Sequence, residues 1–168
     1  MRRIAIVGCS GGGKSALAVR LGERLGVPVI HVDALFWKPG WTESGTDEFR
    51  AKLAAAVTGE AWIADGNFPT NADVHFPLAD TIIWVDQPRL KCLRRAVQRA
   101  LFWFGRARPD LAPGCPEQID LKFWAYIWTW DRLARPRVQA AIDAHAPHAT
   151  LIRLHSDREI AGFVEGVG

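Results

Sequence analysis

Gly8-Cys9-Ser10-Gly11-Gly12-Gly13-Lys14-Ser15 fits G-x-x-x-x-G-K-[ST] at every fixed position, and it follows the apolar run Ile4-Ala5-Ile6-Val7. The context carries more weight than the match. A glycine-rich loop holds an anion when a buried strand delivers it and a helix leaves it, so that backbone N–H groups and the helix N-terminus converge on one point. Downstream, Leu17, Leu21 and Leu25 recur at helical spacing. Strand, loop and helix are therefore expected in the required order. Gly8, Ser10, Gly11, Gly12, Gly13, Lys14, Ser15 and Ala16 are the candidate phosphate-binding residues, with Lys14 reaching the β- and γ-phosphates of a nucleoside triphosphate and the Ser15 hydroxyl holding Mg²⁺. Gly11-Gly12-Gly13-Lys14-Ser15-Ala16 also fits G-x-G-x-x-A, a dinucleotide fingerprint, with Asp33 near the place of its ribose-binding acid. That fingerprint sets its first glycine directly after the strand, whereas here a full eight-residue loop follows the strand, and the triphosphate reading is preferred.

The 168 residues suit one domain with a real core, and 49% hydrophobic against 23% charged residues is the balance of an ordinary globular chain. No apolar run approaches the ~20 residues needed to span a bilayer. Met1-Arg2-Arg3-Ile4 leads straight into the first strand, so no signal peptide is expected. Cys9, Cys92 and Cys115 are odd in number and show no C-x-x-C spacing; they read as reduced thiols of a cytoplasmic protein. The five histidines are scattered, without metal-ligand spacing. The net charge of +3 hides an asymmetry: Arg89 to Arg137 holds eleven basic residues against four acids, +7, which leaves −4 elsewhere. Such a segment implies a polyanionic partner, polyphosphate or nucleic acid.

Short apolar strands alternate with helical stretches, which predicts an α/β fold with a mainly parallel sheet. Strands are expected near 3–8, 28–33, 62–65, 81–86 and 149–154, and helices after the loop, from Thr46 or Asp47 to about Val57, from 89 to 104 and from 117 to 133. Pro136 is expected to open a further helix as its first residue. Between the two predicted helices on either side of it, Gly105-Arg106-Ala107-Arg108-Pro109-Asp110-Leu111-Ala112-Pro113-Gly114-Cys115-Pro116 reads as an arginine-bearing lid. The aromatic residues in Phe102–Phe104 and Phe123–Trp130 are expected to pack between the helices that carry it.

Phosphoryl transfer needs a clamp on the phosphates, a divalent cation and positive charge over the transferring group. Asp33 and Asp65 each end a predicted strand, where open α/β sheets bind ligands. Asp86 does too, but Gln87-Pro88 follows, and it reads as a structural residue at a helix start. Arg106 and Arg108 flank the flexible linker; Arg95 and Arg99, four apart, project from one helix face.

With these residues assembled, the chain resembles small P-loop kinases of the adenylate kinase type, and more closely the kinase-like group labelled DNA topology modulation proteins. The segments that carry the likeness are Gly8–Gly11, His31–Trp41, Asp65-Gly66-Asn67, Arg106–Asp110 and Gly114–Glu117. The resemblance implies a P-loop NTPase three-layer sandwich over residues 1–168, with a five-stranded parallel sheet in order 2-3-1-4-5. It also implies an acceptor-binding region at about 34–60 and a helical lid insertion at about 105–116. It implies ATP and Mg²⁺, with Asp65 beside Ser15 as a metal residue. Lys14, Asp33, Arg95, Arg99, Arg106 and Arg108 would be the catalytic set, with a nucleoside monophosphate as the leading acceptor. Thr70 stands where adenylate kinases carry an arginine, and Ser10-Gly11 stands for their Pro-Gly. Both features look more like kinases of small hydroxyl compounds such as gluconate, where an acid placed like Asp33 takes the hydroxyl proton. A nucleotide-dependent DNA-binding regulator is the alternative from another class, although no DNA-reading motif is visible. A monomer or homodimer without membrane contact is expected.

Overall fold

The computed structural model describes residues 1–167. Five parallel strands form the sheet: β1 (Arg3–Gly8), β2 (Val29–His31), β5 (Trp62–Asp65), β6 (Thr81–Val85) and β7 (Thr150–Leu154), in spatial order β2-β5-β1-β6-β7. Counted without the small hairpin described below, this is the expected order 2-3-1-4-5. Alternation along β1 explains why both faces are covered. Ile4 and Ile6 point to one face, with Ile63, Ile83 and Val85, and meet Leu17 and Leu21 of α1 (Lys14–Leu25) and Ile160 and Val164 of α7 (Asp157–Gly166). Ala5 and Val7 point to the other, with Ala64, Ile82 and Trp84. There they meet Phe49 and Leu53 of α3 (Thr46–Ala56), Cys92 and Ala96 of α5 (Arg89–Phe102), and Ile127 and Trp130 of α6 (Leu121–His145). Helix, sheet and helix make three layers, each apolar face covered by another element. Among the described residues no helix is long and apolar enough to cross a membrane.

Three elements differ from expectation. The second strand ends at His31, and Asp33 is the second residue of a short helix, α2 (Val32–Phe36). A hairpin of β3 (Trp37–Lys38) and β4 (Thr42–Glu43) follows it, turning at Gly40 and at Trp41, which has φ 59°. The helices expected at 117–133 and from Pro136 are one helix of 25 residues, α6, with Pro136 inside it. It starts at Leu121 because Asp120 caps it, Oδ1 accepting from the Lys122 and Phe123 amides. An interior proline costs about 3 kcal/mol in lost bonding and ring clash. Pro136 is exposed, so water reaches the freed carbonyl, and buried Ile127, Trp130, Val138 and Ile142 hold both halves to the core. Side-chain burial of that size contributes about 1.5–3 kcal/mol each, which outweighs the break.

Asp86, expected at a helix start, caps nothing. Its carboxylate takes both Arg135 Nη atoms at 2.7 Å and so ties the middle of α6 to the end of β6. Between β5 and β6 the chain makes a short helix, α4 (Ala72–His75), flanked by single turns of 3₁₀ helix.

Candidate functional site

The C-terminal ends of β1, β5 and β2 open into a cleft of about 750 Å³. The glycine-rich loop forms its floor. Gly11 has φ +84° and lies so close to the Cys92 carbonyl of α5 that a Cβ there would collide with it. The loop is thereby pressed against α5 and turned so that α1 begins with no side-chain cap at Gly13. The first N–H groups of α1 are left free for an anion. Ser10, Gly11, Gly13, Lys14, Ser15 and Ala16 line the cleft, while Gly8 and Gly12 are buried beneath it. Lys14 is buried and donates from Nζ to the carbonyls of Gly8 (2.9 Å) and Cys9 (3.2 Å), which holds the ammonium at the centre of the loop. Asn67 braces the loop from behind: Gly8 N donates to its Oδ1 at 3.0 Å, and its Nδ2 donates to Gly8 O at 2.5 Å.

Beside the loop, the parallel register of β2 and β5 sets His31 opposite Asp65. Asp65 is buried; its Oδ2 accepts from Ser15 Oγ at 2.7 Å, and its Oδ1 lies 2.6 Å from His31 Nδ1. That hydrogen bond raises the His31 pKa above its ordinary value, against the opposing effect of burial. Ser15 and Asp65 offer adjacent hard oxygens. Among the described residues no cluster of three or more His, Cys, Asp and Glu side chains suits a metal. A pair of oxygens is the donor set Mg²⁺ takes when substrate phosphates and water complete its shell, so the residues fit that ion.

Asp33 reaches the cleft from α2. Among the described residues its carboxylate makes no ion pair and no side-chain hydrogen bond. Surrounding protein pushes its pKa up, and Lys14 and Arg108 oppose the shift. Its surface stays open to the cleft, so water tempers that desolvation.

The expected arginines divide. Arg95 and Arg99 face the cleft from α5, and Arg108 from the 105–116 segment. Arg106 is exposed and does not line it. Arg95 Nη2 donates to Asp157 at 2.8 Å. Arg108 Nε lies 2.7 Å from Glu117 Oε2, its Nη1 donates to Asp110 at 2.9 Å, and Arg99 Nε is 3.4 Å from the same Glu117 oxygen. Much of the basic segment is thus spent within the molecule. The lid is docked as well. Gly40 N donates to Gly114 O (2.8 Å), Trp41 Nε1 to Pro116 O (2.8 Å) and Cys115 Sγ to Lys38 O (3.1 Å), so the lid rests on the hairpin. Of the expected acceptor region, Phe36, Trp37 and Trp41 line the cleft, and α3 supports them from behind through Phe49, 5.2 Å from Phe36.

The aromatic residues only partly follow expectation. Ile127 and Trp130 pack inward, but Phe123 and Tyr126 line the cleft, and Phe102, Phe104 and Trp128 are exposed. Sequence reasoning gave no role to His31, Asp110 or Glu117. The strand-end position that singled out Asp65 applied equally to His31; Glu117 carried no local signal.

No family model matches the chain, and no curated protein matches it closely enough to count as a relative. Solved structures do share its fold. A shikimate kinase from Acinetobacter baumannii, in complex with shikimate, superposes with a TM-score of 0.62 at 14% identity, over 99% of this chain and 90% of that one. A shikimate kinase from Bacteroides thetaiotaomicron gives 0.53 at 17% identity, over 98% and 94%. A sugar kinase from a Janibacter species gives 0.52 at 16%, over 98% and 91%. At these identities the likeness shows the fold, that of the P-loop kinases.

Proposed function

We propose that this protein is an ATP- and Mg²⁺-dependent phosphotransferase acting on the hydroxyl group of a small acceptor. The observation that carries the reading is the meeting of two halves in one cleft: the glycine-rich loop with Lys14 on one side, and the unpartnered carboxylate of Asp33 on the other. The loop amides and Lys14 hold the donor phosphates. Ser15 and Asp65 hold Mg²⁺, which supplies charge neutralisation at the phosphates. Asp33 accepts the proton of the acceptor hydroxyl as its oxygen bonds to the γ-phosphorus and the bond to the ADP oxygen breaks. The upward pull on its pKa strengthens it as a base while leaving it ionised at neutral pH. Arg95, Arg99 and Arg108 are the cations within the cleft that stabilise the transferring group, and Arg106 joins them if the lid swings inward.

A nucleoside monophosphate acceptor, and a DNA-binding regulator, are the other readings. The first needs a free cation for the acceptor phosphate, and Arg99 and Arg108 both lean on Glu117. The second needs an outward basic face, and Lys91, Arg95, Arg99, Arg108 and Arg135 are all in internal ion pairs. The hydroxyl acceptor is favoured because Asp33 has a use in it. A reducing compartment such as the cytoplasm goes with this reading, since Cys9, Cys92 and Cys115 are free and buried. ADP release from MgATP, screened against alcohols, nucleosides, sugar acids and nucleoside monophosphates, tests the proposal. Lys14→Ala is expected to abolish release while unfolding remains cooperative; undiminished turnover in that variant refutes it.

A further inference from the structure

The shikimate kinase fold says nothing of what charge the acceptor carries, but the walls of this cleft do. Four basic side chains face it. Lys14 lies within the loop, and Arg95 stands beside it, its guanidinium 4.0 Å from where a Cβ on Gly13 would be; both belong to the donor phosphates. Arg99 and Arg108 are what remains for an acceptor, and they share the buried Glu117, with Arg108 also held by Asp110. Asp33 and Asp120 complete the acidic side, so two guanidiniums face four carboxylates. Neither arrangement of the pair frees a cation for the acceptor. If the arginines stay on Glu117 they are neutralised. If they turn to the transferring phosphoryl group, Glu117 and Asp110 are left uncompensated and the acceptor end becomes more negative still. An acceptor carboxylate or phosphate would be desolvated against like charge in either state.

The remaining wall is aromatic. Phe36 and Trp37 meet edge to face at 5.0 Å, Trp37 and Trp41 at 5.3 Å, and Phe68 leans on Phe36 at 5.1 Å. Ring faces beside carboxylates attract an organic cation and cover an apolar skeleton. We infer that the acceptor is an alcohol bearing an ammonium group and an apolar face, with no carboxylate or phosphate of its own. This rests on the phosphotransferase reading above and narrows it. It sets the cleft apart from one built for a sugar acid or a nucleoside monophosphate.

Three alcohols of one skeleton separate charge from shape: phenylethanolamine (cationic), styrene glycol (neutral) and mandelate (anionic). Their binding to the full chain is measured by calorimetry, with Mg²⁺ and a non-hydrolysable ATP analogue present. The expected order is phenylethanolamine, then styrene glycol, then mandelate, with about tenfold or more between the first and last, roughly the 1.4 kcal/mol of one discriminating interaction. Asp110→Asn, which releases Arg108 in part, is expected to narrow that gap. Equal affinities, tighter binding of mandelate, or no binding of phenylethanolamine overturns the inference. ADP release with the same three compounds separates the two claims. Faster release with mandelate than with phenylethanolamine overturns this inference and leaves the phosphotransferase standing. The expected binding order with no release for any alcohol supports the inference and counts against the phosphotransferase.

Discussion

Replacing Asp65 by asparagine removes one charge and almost no volume, which makes it the sharpest probe of how the loop is held. In the wild type Asp65 links Ser15 Oγ (2.7 Å) to His31 Nδ1 (2.6 Å), with the carboxylate side chain 5% exposed and the imidazole 19% exposed. The asparagine oxygen can still accept from Ser15. The contact with His31 falls from a charge-assisted bond to a neutral one, a loss of about 1–2 kcal/mol. The pH dependence follows from the direction of the His31 shift. Its folded pKa is raised above the ordinary 6.5, chiefly by the Asp65 hydrogen bond. The ion-pair contribution is therefore complete below the unfolded value and fades as pH rises through the folded one. Urea unfolding at about pH 6 should show the full deficit of the variant, and at about pH 9 a smaller one. At the lower pH the melting temperature should fall by about 2–8 °C in a chain of this length. Ring-proton NMR should show His31 titrating at lower pH in the variant. A deficit of equal size at both pH values, or an unmoved His31 titration, refutes the ion-pair account. If Ser15 and Asp65 hold the metal, the variant should also need more Mg²⁺ for half-maximal ADP release.

Two further outcomes test other parts of the molecule. Trp41→Phe keeps the ring but removes the N–H that holds the Pro116 carbonyl, so lid docking should weaken by about 1 kcal/mol, near fivefold. Acceptor KM should rise by that factor, with the urea midpoint unchanged; an unaltered KM would show that the lid contact does not serve acceptor binding. His75 is buried on α4, its Nδ1 has no partner, and burial pushes its pKa down to about 4. The unfolded chain takes up the proton first, so stability should be lost as pH falls from about 6.5 to 4, by about 3 kcal/mol. His75→Leu should flatten that acid limb in circular dichroism titrations, and coincident limbs would refute the assignment.

What the sequence made legible, and what it did not, divides along physical lines. Strand β1, the loop and α1 were readable because hydrophobic alternation, glycine and Lys-Ser act on near neighbours in the chain. Asp65 was readable because a strand end is a local feature that also fixes a place in the sheet. Glu117 was not, since nothing near it in the chain announces that two arginines, 18 and 9 residues earlier, will converge on it. The continuity of α6 was hidden for a related reason. Locally Pro136 argues for a new start, and only the burial of Trp130 and Val138 on either side, a tertiary effect, overrides it. Asp33 was assigned to the cleft correctly and to a strand wrongly; the main-chain pairing stops at His31, and α2 carries the acid over the opening. The aromatic run was read by composition alone, which cannot separate a ring facing the core from one facing a cleft a single turn away.

The lid departs from the body and rejoins it at almost one place. Gly105 N donates to Glu117 O at 2.9 Å, and Glu117 N donates to Arg106 O at 2.9 Å, so the eleven residues from Arg106 to Pro116 hang from a closed neck. Chain closure then costs little more for a longer loop than for a shorter one, only about 0.6 kcal/mol per doubling. The segment is in consequence a cartridge. Its length and side chains can be exchanged while the sheet, the phosphate loop and α6 keep their positions, and a change of acceptor requires rewriting a dozen or so residues of this protein and none of its core.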